Sequence, residues 1–354
     1  MNAKQVALVA VLVAAILAVI VVRGIYSDQG TAPRTEAGST PKLVVVTGGS
    51  SPYWQAIRSG AKKAGSELGA DVEVRMPEKD EDAVAQTEIL SLIDPMEFDG
   101  VALSPLEAAD QTRVIDQLAK HAFVVTVDSD APLSTRMNYV GASNLDAGQK
   151  CAELVKEALP EGGKVAVLIA NETKQNVVDR RIGFIRILTP KASDDVNGSE
   201  QTDANYEIVD FLIDQGDNAR CEKQLRELIE SDDEIDCIVG MNSYHGPVLV
   251  KLANDETLKD DVKLIAFDTE SKTLDGVESG VLFATIAQDP YQYGYEAVNI
   301  LNSFCRRSSE QLPPAGLYAT TTIQTKVVKQ GEVKNERTKF DRYLEHQTNG
   351  DAEN

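Results

Sequence analysis

Apolar runs alternate with amphipathic stretches along most of this chain. Leu43 to Thr47 is an unbroken run of the buried-strand kind. After it, Ile57, Ala61, Ala64 and Leu68 recur at the spacing that places them on one helical face. The same alternation predicts a strand at Val72 to Met76, a helix over Asp80 to Ile93, an extended Gly100 to Ser104, a helix over Glu107 to His121 and a strand at Phe123 to Val127. It restarts with a helix from Asn144 to Leu159, closed by Pro160 and Gly162-Gly163. Strands follow at Lys164 to Ala170, Ile208 to Ile213, Cys237 to Gly240, Val262 to Phe267 and Val281 to Ala287, with helices between them. Strands that are apolar at every position need cover on both faces, which is the parallel-sheet pattern of an α/β fold. With 354 residues and a restart midway, the expectation is two such domains.

The ends of the chain break this rhythm. Val6 to Val22 is almost pure Ala, Val, Leu and Ile between Lys4 and Arg23, at the lower edge of a bilayer span. Residues 1–26 are therefore a signal peptide or a membrane anchor; the poor small-x-small site around Gly24 favours the anchor. Residues 27–41 are small and polar and read as a flexible tether, 189–205 as an acidic, turn-rich solvated loop, and 332–354 as a frayed polar tail. Charge narrows the partners: 35 Lys and Arg against 56 Asp and Glu leave −21, which disfavours nucleic acid. Cys151, Cys221, Cys237 and Cys305 have no CxxC or metal-ligand spacing; they read as buried thiols, with disulfide pairing left open.

Catalytic motifs do not assemble. Val45-Val46-Thr47-Gly48-Gly49-Ser50 opens like a dinucleotide-binding turn, but Pro52 stands where another glycine is needed and no Tyr precedes a Lys by four residues. His121, His245 and His346 are scattered, and GxSxG, HExxH and GxxxxGK[ST] are all missing. No enzyme, metal or cofactor is expected, a nicotinamide oxidoreductase being the outside alternative.

What does recur is one polar residue at the end of an apolar strand: Asp128, Asn242, Asp268 and Gln288. Taken singly, each is a turn or cap residue. In parallel sheets, however, ligands collect at the carboxyl ends of strands. Tyr53 and Trp54, the only tryptophan, occupy the first such strand-to-helix loop. Aromatic faces with Asp, Asn and Gln around them suit a ligand that has both C–H faces and hydroxyls.

The order of these segments resembles the ribose-binding type of periplasmic sugar-binding protein across about residues 42 to 330. Ser51-Pro52-Tyr53-Trp54 is similar to that family's Asn-Pro-Phe-Phe, Thr126-Val127-Asp128 to its strand ending in a sugar-binding Asp, and Arg180-Arg181-Ile182-Gly183-Phe184 to its Arg-x-x-Gly-Phe. Gly240-Met241-Asn242, Ala266-Phe267-Asp268, Thr285 to Pro290 and Val327 to Gln330 complete the match. The resemblance implies two doubly wound parallel-sheet lobes joined by a three-segment hinge, 42–142 plus 289–322 and 143–288 plus 323–331. It also implies a monosaccharide, pentose or hexose, held between them by Tyr53, Trp54, Asp128, Arg180, Asn242, Asp268 and Gln288. Ser51 and Ser129 stand where the family has Asn and Arg, so the identity of the sugar is open, and Asp130, Ser143 or Asn144 are candidates to fill in. The third family aromatic is replaced near Gln215 or Gly216. The implied role is that of a monomeric, extracytoplasmic receptor, tethered to the membrane, that delivers sugar to an ABC-type permease. The alternative is the same module in a membrane sensor.

Overall fold

The computed structural model describes residues 39–189, 205–231, 234–306, 313–316 and 318–339. The apolar N-terminal run, most of the tether, the acidic loop from 190 to 204 and the tail from 340 lie outside the described residues. Among the described residues no helix is long and apolar enough to cross a membrane.

The chain begins with β1 (Lys42–Val46), α1 (Pro52–Leu68), β2 (Asp71–Arg75), α2 (Ala83–Ser91), β3 (Gly100–Leu103), α3 (Ala108–Leu118), β4 (Phe123–Val127) and β5 (Asn138–Gly141). It then crosses to a second sheet through α4 (Asn144–Ala158), β6 (Gly163–Ile169), α5 (Gln175–Leu188), β7 (Tyr206–Ile213), α6 (Asn218–Ser231), β8 (Cys237–Gly240), α7 (His245–Asn254), β9 (Lys263–Phe267), α8 (Ser271–Ser279) and β10 (Ala284–Ala287). It returns with α9 (Pro290–Arg306) and β11 (Thr320–Thr322), and crosses once more into β12 (Lys326–Val328). The first sheet has the order β2-β1-β3-β4-β5-β11 and the second β7-β6-β8-β9-β10-β12. Every neighbouring pair is parallel except β10 with β12. Each sheet is thus doubly wound, and the two repeat one another in strand order, differing only in the sense of the edge strands β11 and β12.

Alternation along the strands explains the unbroken apolar runs. Leu43 and Val45 enter a core shared with α1 and α9, while Val44 and Val46 enter the core on the opposite face under α2 and α3. In the second sheet Val165, Val167 and Ile169 face α4 and α5, and Ala166 and Leu168 face α6 to α8. A strand with helices on both sides has no solvent face on which to place polar residues.

The helix pairs are set by glycine. At Gly60 in α1 an added Cβ would lie 1.9 Å from the Tyr291 carbonyl oxygen, and at Gly294 in α9 2.0 Å from that of Ile57. The second lobe repeats the device: Gly148 in α4 meets the Arg180 carbonyl and Gly183 in α5 that of Leu145, both at 2.0 Å. Side chains there would wedge the helices apart.

Several expectations shift. The structure adds β5, β11 and β12, short strands whose sequences NYVG, TTT and KVV carry no apolar run. The second helix starts at Ala83 rather than Asp80, because Glu81 takes a left-handed φ of 62° and Asp82 caps the helix through Ala85 N–H. The tail, expected to fray from 332, is helical over 333–339, where Val333 is buried and Arg337 pairs with Asp275 and Glu278. All four cysteines are buried and none is in a disulfide, and burial pushes the Cys151 thiol up to about 12.

Candidate ligand-binding site

The carboxyl ends of both sheets face one cleft. Asp128 directly follows β4, and Asp268 follows β9 at the matching position of the other lobe. Both are left-handed, with φ of 65°. In each case the amide donates to the neighbouring strand, Asp128 to the Val140 carbonyl at 2.9 Å and Asp268 to that of Ile286 at 2.8 Å. A non-glycine residue there costs about 1–3 kcal/mol, and such outliers gather at functional sites.

Around Asp128 the polar groups converge. Its Oδ1 accepts from Tyr53 Oη at 2.7 Å, and its Oδ2 accepts from Ser104 Oγ at 3.0 Å and from Asn176 Nδ2, of the opposite lobe, at 3.2 Å. Burial, then the Asp128 charge, drives the Tyr53 hydroxyl well above its ordinary range, so it is a neutral donor. Trp54 lies edge-on to Tyr53 with ring centroids 5.2 Å apart and is 3% exposed. Both aromatics belong to the core of the first lobe as well as to the cleft.

On the opposite lobe Arg180 is bonded through each of its three nitrogens. Its Nε donates to Asn144 Oδ1 at 2.9 Å, and its terminal nitrogens donate to the Met241 carbonyl at 2.7 Å and to Gln288 Oε1 at 3.0 Å. The guanidinium lies 4.6 Å from the Phe267 ring centre. Gln288 Nε2 in turn donates to both Asp268 oxygens, at 3.0 and 3.1 Å. Burial raises the Asp268 carboxyl to about 7 against the opposing pull of Arg180 and the Gln288 hydrogen bond. Glu270 is likewise raised to about 7, by burial and by the nearby charges of Asp268 and Asp80.

Asn242 is anchored from behind. Its Oδ1 accepts from Ala170 N–H at 3.0 Å, and its own N–H donates to His245 Nδ1 at 3.1 Å. With Nδ1 accepting, the His245 proton sits on Nε2, 2.7 Å from Asp214 Oδ2. Tyr244 Oη donates to the other oxygen of Asp214. Asp214, Cys221 and His245 offer ligand atoms within 4.8 Å of one another, but the Nε2 lone pair that a metal would need is taken by this proton. The group is a closed hydrogen-bonded set beneath the cleft.

A cavity of about 20 Å³ lies at the centre, lined by Tyr53, Trp54, Asp128, Arg180, Asn242, Asp268 and Gln288 of the expected residues. The other three stand back from it. Asn144 reaches the site through Arg180. Ser51 gives its backbone N–H to Asp80 Oδ1 at 3.1 Å, and Ser129 its own to the Val127 carbonyl at 2.7 Å. Asp130 is committed to Arg136 and Thr126, and Ser143 caps α4. The lining also holds Asp80, Glu81, Lys174, Asn176, Ser243 and Tyr244, none of which sequence reasoning picked out. One signal pointed to Lys174 and Asn176: they follow β6 as Tyr53 and Trp54 follow β1, so the repeat between the lobes marks their loop. Gln215 and Gly216 line an outer groove of about 1050 Å³ instead, and Tyr244 supplies the third aromatic of the cavity.

Lys174 dominates the closed cleft. Its Nζ lies 2.7 Å from Glu81 Oε1, 3.8 Å from Asp128 Oδ2 and 5.1 Å from the Trp54 ring centre. Burial opposes its charge, but Glu81 and Asp128 outweigh that and raise its pKa. Asn171 Nδ2 adds a bond to Glu81 Oε2 at 2.9 Å.

Two doubly wound sheets whose strand ends converge on a cleft define a two-lobed binding protein. The chain belongs to the periplasmic binding protein domain family, whose model matches residues 43–307, and its lobes have the type I form. It is similar to the ribose import binding protein of Bacillus subtilis strain 168, 21% identical over 69% of this chain and 74% of the relative. The ribose import binding protein of Salmonella typhimurium strain LT2 is 22% identical over 78% of this chain and 88% of the relative. Among solved structures, an ABC transporter solute-binding protein from Burkholderia graminis C4D1M in complex with D-arabinose superposes with a TM-score of 0.74 at 23% identity, over 84% of this chain and 97% of that one. The family resemblance and the fold class read from the sequence both hold, and the family implies a location outside the cytoplasm.

Proposed function

We propose that this protein captures a monosaccharide between its lobes and hands it to an ABC-type importer. It does so by binding rather than by turnover. The observation that carries this is the convergence of Tyr53, Trp54 and Asp128 from one lobe with Arg180, Asn242 and Asp268 from the other, and Gln288 from the link between them, on one buried centre. An aromatic face accepts sugar C–H groups, while the carboxylates and amides accept and donate to hydroxyls. The names of the ribose import relatives and the bound D-arabinose of the structural neighbour support the same ligand class.

In this reading, 42–142 plus 289–322 and 143–288 plus 323–331 move as two lobes. The links at 142–143, 288–289 and 323–325 form the hinge, and closure on the sugar creates the surface that a permease reads. The monomer would stand on the outer face of the membrane, tethered by residues 6–22.

Trp54 makes the test direct. In the purified protein a panel of pentoses and hexoses is expected to shift Trp54 fluorescence and raise the melting temperature, with at least one sugar acting in the micromolar range. A broad panel that moves neither signal would sink the proposal.

A further inference from the structure

The ammonium of Lys174 occupies a cage. One wall is the face of Trp54, 5.1 Å away; the others are the Glu81 carboxylate at 2.7 Å and the Asp128 carboxylate at 3.8 Å. All four side chains are buried. The cage and its occupant come from different lobes, because Trp54, Glu81 and Asp128 belong to the first and Lys174 follows β6 in the second. Parting of the lobes therefore withdraws the ammonium and leaves the aromatic face and both carboxylates together.

Space forces a choice on any sugar that enters. The cavity of about 20 Å³ has room for about one water and not for a sugar ring. A ring stacked on Trp54 needs the place that Nζ holds. With a neutral ligand there, Glu81 and Asp128 are buried against a group that cannot neutralise them, and such uncompensated burial is strongly unfavourable. A ligand bearing its own ammonium keeps the cage paired, and the face of Trp54 adds a cation–π attraction. Arg180 directs its hydrogen bonds elsewhere, to Asn144, Met241 and Gln288. Even with Lys174 in place and Asp268 protonated, the lining has Asp80, Glu81 and Asp128 against Lys174 and Arg180. Independently, Asn176, 3% exposed and on the same lining, leaves its Oδ1 without a partner beside the cage, an acceptor for one more N–H or O–H.

We infer that the cleft selects an amino sugar, whose protonated amine takes the place of Lys174 Nζ over Trp54 between Glu81 and Asp128. Lys174 is then a stand-in for the ligand's cation, competing with it in the closed form. The inference rests on the sugar-binding reading above and narrows it.

Calorimetric titration at about pH 6.5, where sugar amines are protonated, separates the two. D-Glucosamine, D-galactosamine and D-mannosamine are compared with D-glucose, D-galactose and D-mannose on the wild-type protein. The best amine is expected to bind at least about tenfold tighter than its neutral parent. Glu81→Gln should erase that ratio, and Lys174→Met should tighten amine binding about tenfold by removing the competitor; melting curves confirm that both variants fold. Neutral sugars binding as tightly as the amines, or loss of all binding in Lys174→Met, overturns the inference while leaving sugar capture standing, with Lys174 then a donor to hydroxyls. Silence from both sets of sugars, and from pentoses, removes the sugar reading itself and this inference with it.

Discussion

Asp268 carries a pH dependence whose sign follows from its surroundings. Its carboxyl titrates at about 7 in the folded protein against an ordinary 3.8. Between those values the folded state holds a proton that the unfolded chain has released, so stability falls as pH rises through the window and levels off above 7. Asp268→Asn lacks this titration. Urea unfolding of both proteins from pH 4 to 8 should show the wild type losing ground to the variant by up to about 1.4 kcal/mol per pH unit, and only below pH 7. Parallel curves would mean that Asp268 is ionised throughout. Residues such as Asp268 and Asp128 could be found in the sequence because each ends an apolar strand in a parallel sheet, and that position alone aims it at the cleft. Glu81 could not, because it sits in a polar loop and finds its partners, Asn171 and Lys174, on the other lobe; Lys174 was marked only by the repeat between the lobes. No local pattern distinguishes such a charge from a solvated one.

The glycines that seat the helix pairs give the Arg-x-x-Gly-Phe segment a mechanical meaning. Gly183 lets α5 press against the Leu145 carbonyl of α4, and Arg180, one turn earlier on the same helix, is thereby held against Asn144 of α4. Gly183→Ala should cost about 1–3 kcal/mol by overpacking and weaken sugar binding as Arg180 shifts. Gly60→Ala, at the equivalent contact of α1 with α9, should cost about as much. Gly331→Ala, where an added Cβ meets nothing within 4 Å, should leave the melting temperature unchanged. Thermal melts of the three variants test this; equal effects would remove the packing argument. At this scale most strands and helices were readable, since burial on both faces imposes apolar runs and one-sided burial imposes helical periodicity. The strands β5, β11 and β12 were not, because strands of three or four residues toward one edge of each sheet are defined by the neighbour they pair with rather than by their own composition.

Lys174, Asn171 and Asn176 reach across from the second lobe to Glu81 and Asp128, so the closed arrangement has contacts of its own besides those a ligand would add. Lys174→Met removes the interlobe ion pair and should shift the free protein toward an open form, seen as a larger radius of gyration in small-angle X-ray scattering. An unchanged radius would place the closing energy elsewhere. The threefold crossing has a further consequence, for the order in which the chain can fold. The first sheet waits for its edge strand, and α1 for its partner α9, until residues 290–322 have been made, after every strand of the second sheet but β12. A chain emerging N-terminus first therefore passes through a long stage in which its first hundred residues have a sheet edge and a helix face with nothing yet to cover them. Neither lobe can be completed until nearly all of the chain has emerged.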